Sequence, residues 1–114
     1  MLPKNYRLKK RSAFNATYCT GKTFHFSGIT VFCGKEKNND LLTKVGFVVS
    51  KKYHKRAVKR NRIKRLMRES YRLMIKSNDV PTKYLSLIFV PSQKVLGKDF
   101  SEIDYIMKKL VKKI

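Results

Sequence analysis

Residues 51 to 72 read KKYHKRAVKRNRIKRLMRESYR, eleven Lys or Arg against a single acid, Glu69. A solvated helix normally interleaves both signs, because like charges at i, i+4 repel by roughly 0.2–0.5 kcal/mol per pair. Whatever this chain folds into must therefore leave one face of that segment to a partner of opposite charge. The rest of the sequence compounds the demand: 28 basic residues against 7 acids give a net charge of +21 over 114 residues. Lys4 to Arg11 is a second basic stretch with no acid before Glu36, and Lys108, Lys109, Lys112 and Lys113 form a third. With 42% hydrophobic residues, including 7 Phe and 6 Tyr, the chain is too apolar for a disordered cationic tail and long enough to build one core. Residues 1–114 are expected to form a single domain, since no linker, repeat or low-complexity tract divides them.

The chain lacks a run of about 18 apolar residues, and Met1 to Lys10 has no apolar secretory region. The mature chain is expected to start at or near Met1 and to work in the cytoplasm, with no membrane partner. Cys19 and Cys33 make no disulfide framework and are expected as free thiols in a reducing compartment.

Ser12 as N-cap and Gly21 as C′ residue bracket a short helix in which Phe14 and Tyr18 share one face. Phe24 to Cys33 alternates as one long or two short strands, with Ile29, Val31 and Cys33 on one side and Thr30 and Phe32 on the other. Val45 to Ser50 and Tyr84 to Val90 read as two more strands, the latter ending at Pro91. Asn38, Asn39 and Asp40 form one turn, and Ser77, Asn78 and Asp79 with Pro81 another. Asp99 and Glu102 make a capping signal for a last helix whose Ile103, Ile106, Met107, Leu110 and Val111 keep helical spacing.

At about 100° per residue, Leu66, Met67, Ser70, Tyr71, Leu73 and Met74 fall within roughly 80° of Ile63 and form a core face. Opposite them lie Asn61, Arg65, Arg68 and Arg72, flanked by Lys64, in a cationic stripe about 16 Å long. Ala57 and Val58 miss the core face, so Lys51 to Arg56 reads as loop or first turn, and Arg60 falls near the core edge. Arginine's planar fork suits phosphate oxygens, and nucleic acid is the partner this footprint favours. A membrane would need a free apolar face, which the strands require here. A helix-turn-helix would need a second helix where strands flank this one, which makes duplex DNA the weaker polyanion. Phe14, Tyr18 and Phe32 fit two roles equally, core packing or a stacking platform for single strands beside basic side chains.

No constellation for chemistry is present. His25 and His54 lack carboxylates or cysteines at metal-ligand spacing, Cys19 and Cys33 lack a base or a CxxC arrangement, and no Gly-rich phosphate loop occurs. No cofactor, metal or small-molecule site is expected on the protein, and His54 reads as a neutral residue in a cationic loop.

Arg7-Leu8-Lys9-Lys10 before Phe14, the run Val45-Gly46-Phe47-Val48-Val49-Ser50-Lys51-Lys52, and Ala57-Val58-Lys59-Arg60-Asn61-Arg62-Ile63-Lys64-Arg65 followed by Arg68-Glu69 closely resemble the protein subunit of bacterial ribonuclease P. The likeness runs at motif level from Leu8 to Tyr71. The resemblance implies an α+β two-layer sandwich with a mainly antiparallel sheet, about three helices and a left-handed β-α-β crossover through the basic helix. It implies a 1:1 complex with a catalytic RNA that removes the 5′ leader of precursor tRNA using magnesium ions held by the RNA. By position, Arg62, Lys64, Arg65 and Arg68, with Arg72 of the stripe, would bind the catalytic RNA. Phe14, Tyr18, Phe32, Ser50, Lys51, Lys52, Arg60 and Asn61 would bind the leader. The rival is a small basic ribosomal or other structural RNA-binding protein, which has no use for a leader cleft, and a cationic single-strand-binding module stands third.

Overall fold

The computed structural model describes residues 4–20, 22–36, 42–51, 55–95 and 97–114. Gly21, the turn at Asn38, Asn39 and Asp40, Lys52 and His54 lie outside the described residues. The elements are α1 (Arg11–Cys19), β1 (Lys22–Phe26), β2 (Ile29–Cys33), β3 (Lys44–Phe47), α2 (Ala57–Lys76), β4 (Ser86–Pro91) and α3 (Phe100–Lys113), with single 3-10 turns at Lys4–Tyr6 and Gln93–Val95. The strands form one sheet in the order β1-β2-β4-β3. β1–β2 and β2–β4 are antiparallel, whereas β3 and β4 are parallel and joined through α2. This is the α+β class that the resemblance implies, with three helices and a mostly antiparallel sheet.

The apolar segment after Lys22 becomes two strands because Ser27 and Gly28 both take positive φ, 46° and 96°. That two-residue loop matches the strand twist and pairs Phe26 with Ile29. Alternation then sends Phe24, Phe26, Ile29, Val31 and Cys33 to one face, where Leu87, Phe89, Val45 and Phe47 join them. Helices α2 and α3 cover this face with Ile63, Met67, Tyr71 and Met74 from the first and Ile103, Ile106, Met107 and Leu110 from the second. The rings of Phe47 and Phe89 stack at 5.7 Å, with Tyr71 at 6.1 Å from Phe89. Ser70, buried in α2, donates to Asp104 of α3 at 2.7 Å and ties the two helices together. The apolar stripe is narrower than the angular count implies: Leu66 is only partly buried and Leu73 is exposed.

Several boundaries differ from the sequence expectation, among them the starts of β1 at Lys22 rather than Phe24 and of β3 at Lys44 rather than Val45. Helix α1 starts at Arg11 with Lys10 as an N-cap that makes no side-chain bond, so Ser12 lies inside the helix. Arg7 bridges to Val45 and the Leu8 amide donates to the Val45 carbonyl at 2.9 Å; this anchor on β3 fixes where the chain turns, and it outweighs a cap worth about 1 kcal/mol. β3 ends at Phe47 rather than Ser50, although the Val48 amide still reaches the Phe89 carbonyl at 3.1 Å. β4 starts at Ser86 rather than Tyr84, which instead makes an isolated bridge with Glu36. It also keeps Pro91, paired with Ile29 at the ladder's end, where a missing N–H is tolerated. The end of α2 follows expectation. Asn78 takes φ 60°, its amide bonds Ile75 and that of Asp79 bonds Met74, a Schellman closure. The capping box also holds: the Glu102 amide donates to Asp99 Oδ1 at 3.0 Å, and the Asp99 amide donates to Glu102 Oε1 at 3.4 Å.

Both cysteines are free, Cys19 exposed and Cys33 buried in the core. Burial pushes the Cys33 thiol up to about 11. Because the folded state holds this proton more tightly than the unfolded chain, its stabilising contribution is full below the ordinary thiol range and is lost as pH rises toward 11. Iodoacetamide at pH 8 should therefore alkylate one thiol of the native chain and two in denaturant. Mass spectrometry that finds Cys33 modified as fast as Cys19 would contradict this placement.

Candidate RNA interface

Helix α2 turns Asn61, Arg65 and Arg68 to solvent, with Arg62 and Lys64 half-buried at the margins. Asn61, Arg62, Arg65, Arg68 and Glu69, with the 79% exposed Val58, line one groove of about 710 Å³. Among the described residues no ion pair engages Arg62, Lys64, Arg65 or Arg68. Arg72 differs from the rest of the stripe. Its Nε and Nη2 fork onto Glu69 at 3.1 and 2.5 Å, a hydrogen-bonded pair that holds Glu69 below and Arg72 above their usual ranges. The one acid of the basic window thus neutralises the stripe's C-terminal end, and the open positive field belongs to its first three turns.

The sheet's second face lies under α1. Thr17, buried, hydrogen-bonds Ser86 Oγ at 2.5 Å and donates to the Ala13 carbonyl, which fixes the helix across β4. The Phe14 ring then rests on Gly46, where a Cβ would come 2.6 Å from its Cε1. Tyr18 meets Phe32 edge-on, centroids 4.9 Å apart and planes at 73°, and keeps 37% of its surface exposed. Burial raises the Tyr18 phenol, so its hydroxyl stays protonated at neutral pH. A cavity of about 350 Å³ runs from Phe14 and Gly46 along the β3 edge, and Arg7, Lys9 and Arg68 line it.

These two concavities regroup the expected site residues. Phe14 shares its cavity with Arg68, Tyr18 contacts Phe32, and Asn61 stands with Arg62, Arg65 and Arg68 rather than with the rings. Arg60 donates to the Lys55 carbonyl at 2.8 Å across the start of α2. Ser50 is half-buried and Lys51 exposed in the segment after β3. Arg7 and Lys9 were not expected beside Phe14; the acid-free Lys4 to Arg11 stretch was their signal in the sequence. Among the described residues no three His, Cys, Asp or Glu side chains stand close enough to hold a metal ion, and no helix is long and apolar enough to cross a membrane.

The contact at Gly46 is testable. A methyl group there meets the ring of Phe14 below any real Cβ distance, so Gly46→Ala should displace the ring and α1 with it while the opposite, core-bearing face is spared. The expected result is a several-fold loss in binding of single-stranded RNA with far-UV dichroism unchanged. Unaltered binding would mean that the ring's seat does not matter.

Three comparisons bear on what this arrangement serves. A family model described as Ribonuclease P matches residues 2–114. The ribonuclease P protein component of Clostridium kluyveri is 38% identical over 108 residues, covering 95% of this chain and 93% of that protein. That of Clostridium novyi is 36% identical over 112 residues, covering 98% and 96%. Among solved structures, the RNase P protein of Staphylococcus aureus superposes with a TM-score of 0.78 at 28% identity, covering 96% of this chain and 94% of that one. That of Thermotoga maritima gives 0.79 at 25% identity, covering 95% and 96%.

Proposed function

The chain belongs to the ribonuclease P protein family, whose protein component assists an RNA in the 5′ maturation of precursor tRNA, and on that footing we propose how its surfaces divide the work. Its partner is the ribonuclease P RNA. Arg62, Lys64, Arg65 and Arg68 hold phosphates of that RNA, and Arg72, shared with Glu69, contributes less. Phe14, Tyr18 and Phe32 stack on unpaired nucleotides of the 5′ leader. Arg60, Asn61, Ser50 and Lys51 extend the leader's path toward α2, and Lys52 is assigned to the leader by the sequence motif alone.

The supporting observation is the position of Arg68, which lines both the α2 groove and the cavity of Phe14. One guanidinium between the two surfaces sets the catalytic RNA and the substrate leader side by side. A structural ribosomal protein would use the basic helix and leave the ring-bearing face idle.

Hydrolysis belongs to the RNA and to magnesium ions held on it. The described residues offer the ion no cluster of His, Cys, Asp or Glu side chains. The whole chain, residues 1–114, works as one RNA-binding domain in a 1:1 complex in the cytoplasm, with no membrane partner and no small-molecule cofactor. Precursor tRNA incubated with magnesium and the chain alone should remain uncut, and adding the RNA subunit should release the leader. Single-turnover cleavage at the leader junction by RNA-free protein would move the chemistry onto the chain.

A further inference from the structure

At the far edge of the sheet from β3, where β1 runs beside α3, rings and cations meet a second time. Tyr105 projects from α3 with 56% of its surface exposed, and the Phe26 ring lies 6.1 Å away. The Lys109 ammonium stands over the Tyr105 ring at 5.5 Å, and that of Lys113 over Phe26 at 5.2 Å. Lys113 also donates to the His25 carbonyl at 3.1 Å.

The acids of α3 are engaged elsewhere. Asp104 takes Lys108 at 2.9 Å and the Ser70 hydroxyl, while Glu102 takes Lys98 at 3.4 Å and the Asp99 amide. Lys109, Lys112 and Lys113 therefore have no acid among the described residues. On a 100° count Lys112 falls about 20° and Lys109 about 40° from Tyr105, so ring and ammonium groups share one sector. The apolar residues Ile103, Ile106, Met107 and Leu110 face the core.

We propose that this β1–α3 edge is a second RNA-binding surface, on which Tyr105 stacks an unpaired base while Lys109, Lys112 and Lys113 hold the flanking phosphates. An ammonium over an exposed tyrosine is weakly held. A base displaces it from the ring, and the four-carbon stem carries it to a neighbouring phosphate. Stacking tolerates any base, so the surface selects single strands rather than sequence. Three strand spacings, about 14 Å, separate β1 from β3, and a strand seated here leaves the α2 groove free. An anionic membrane fits less well, because α3 turns its apolar side chains inward and offers lipid a single ring. The strand is either an unpaired segment of the catalytic RNA or a separate RNA.

Anisotropy titration of a labelled ten-nucleotide oligouridylate tests this, using the full-length chain carrying Arg65→Ala, Arg68→Ala, Phe14→Leu and Tyr18→Leu so that the α2 groove and the ring-bearing face under α1 contribute little. Adding Tyr105→Ala should weaken binding by about fivefold or more, and Tyr105→Phe should retain it. Affinity within twofold of the parent for Tyr105→Ala overturns the proposal. So does a Tyr105-dependent loss seen only with phosphatidylglycerol vesicles. If Tyr105→Ala lowers the thermal midpoint, Lys109→Gln with Lys112→Gln decides instead, and unchanged affinity overturns the surface. Repeating the titration on the Phe14→Leu, Tyr18→Leu chain, which keeps the α2 arginines, saturated with the catalytic RNA separates the sources. Undiminished oligouridylate binding marks a site open to a separate RNA. Competitive loss, with weaker binding of the catalytic RNA by Tyr105→Ala, marks a segment of that RNA.

Discussion

With Arg65 and Arg68 both replaced by alanine, the chain should bind the ribonuclease P RNA about a hundredfold more weakly at low salt. Both guanidinium groups are exposed on one face of α2 and have no ion pair among the described residues. Their donors are thus free for phosphate. A hydrogen bond to a charged group contributes about 1.5–3 kcal/mol, so losing two costs about 3 kcal/mol at the low end, or two decades in affinity. Each phosphate contact also releases close to one counterion, and the slope of log K against log salt should fall by about 1 to 2. Folding should survive, because neither side chain reaches the core. Nitrocellulose-filter titrations across a salt series read both quantities, and an unchanged slope would reduce the stripe to a solvated surface. Arg72→Ala is the internal control. Its fork onto Glu69 already neutralises it, so the loss should be smaller than for either stripe arginine alone.

The contrast between Arg72 and Arg65 shows what periodicity can and cannot reveal. Helical spacing correctly separated Ile63, Met67, Tyr71 and Met74 from the cationic face, because the core under α2 demands one apolar stripe and nothing else fits the count. Alternation found the two faces of β2 for the same reason. The α3 capping box was equally legible, since all of its bonds lie within four residues. Features set by distant chain segments were hidden. The start of α1 depends on Arg7 and Leu8 bonding Val45, and the cavity beside Phe14 forms only when that N-terminal segment, β3 and α2 converge. Arg7 and Lys9 were thus visible as charge but not as neighbours of a ring. Gly46 stood in the sequence as part of a motif, yet its physical role, the gap that seats Phe14, required the sheet's second face.

That seat gives the sharpest test of the leader cleft. If Phe14 stacks on an unpaired nucleotide, Phe14→Leu preserves most of the apolar volume over Gly46 and removes a flat π-face contributing roughly 1–3 kcal/mol per base. The holoenzyme should then lose more than about tenfold in affinity for leader-bearing precursor tRNA, while mature tRNA, which has no leader, binds as before. The ring's position argues for this outcome over simple packing. Phe14 is only partly buried, lies outside the cluster formed by Phe47, Tyr71 and Phe89, and lines a cavity that also presents Arg7, Lys9 and Arg68. A stacked base there would place its phosphates within reach of those three cations. Tyr18→Leu should act in the same direction, since its edge-on contact with Phe32 holds the second ring half-exposed on the same sheet face. Dissociation constants for the two tRNAs, measured beside the thermal midpoint of the free chain, separate the alternatives. Equal losses for both tRNAs with a lowered midpoint would make Phe14 a packing residue, because a core defect weakens the scaffold without regard to what the substrate carries at its 5′ end.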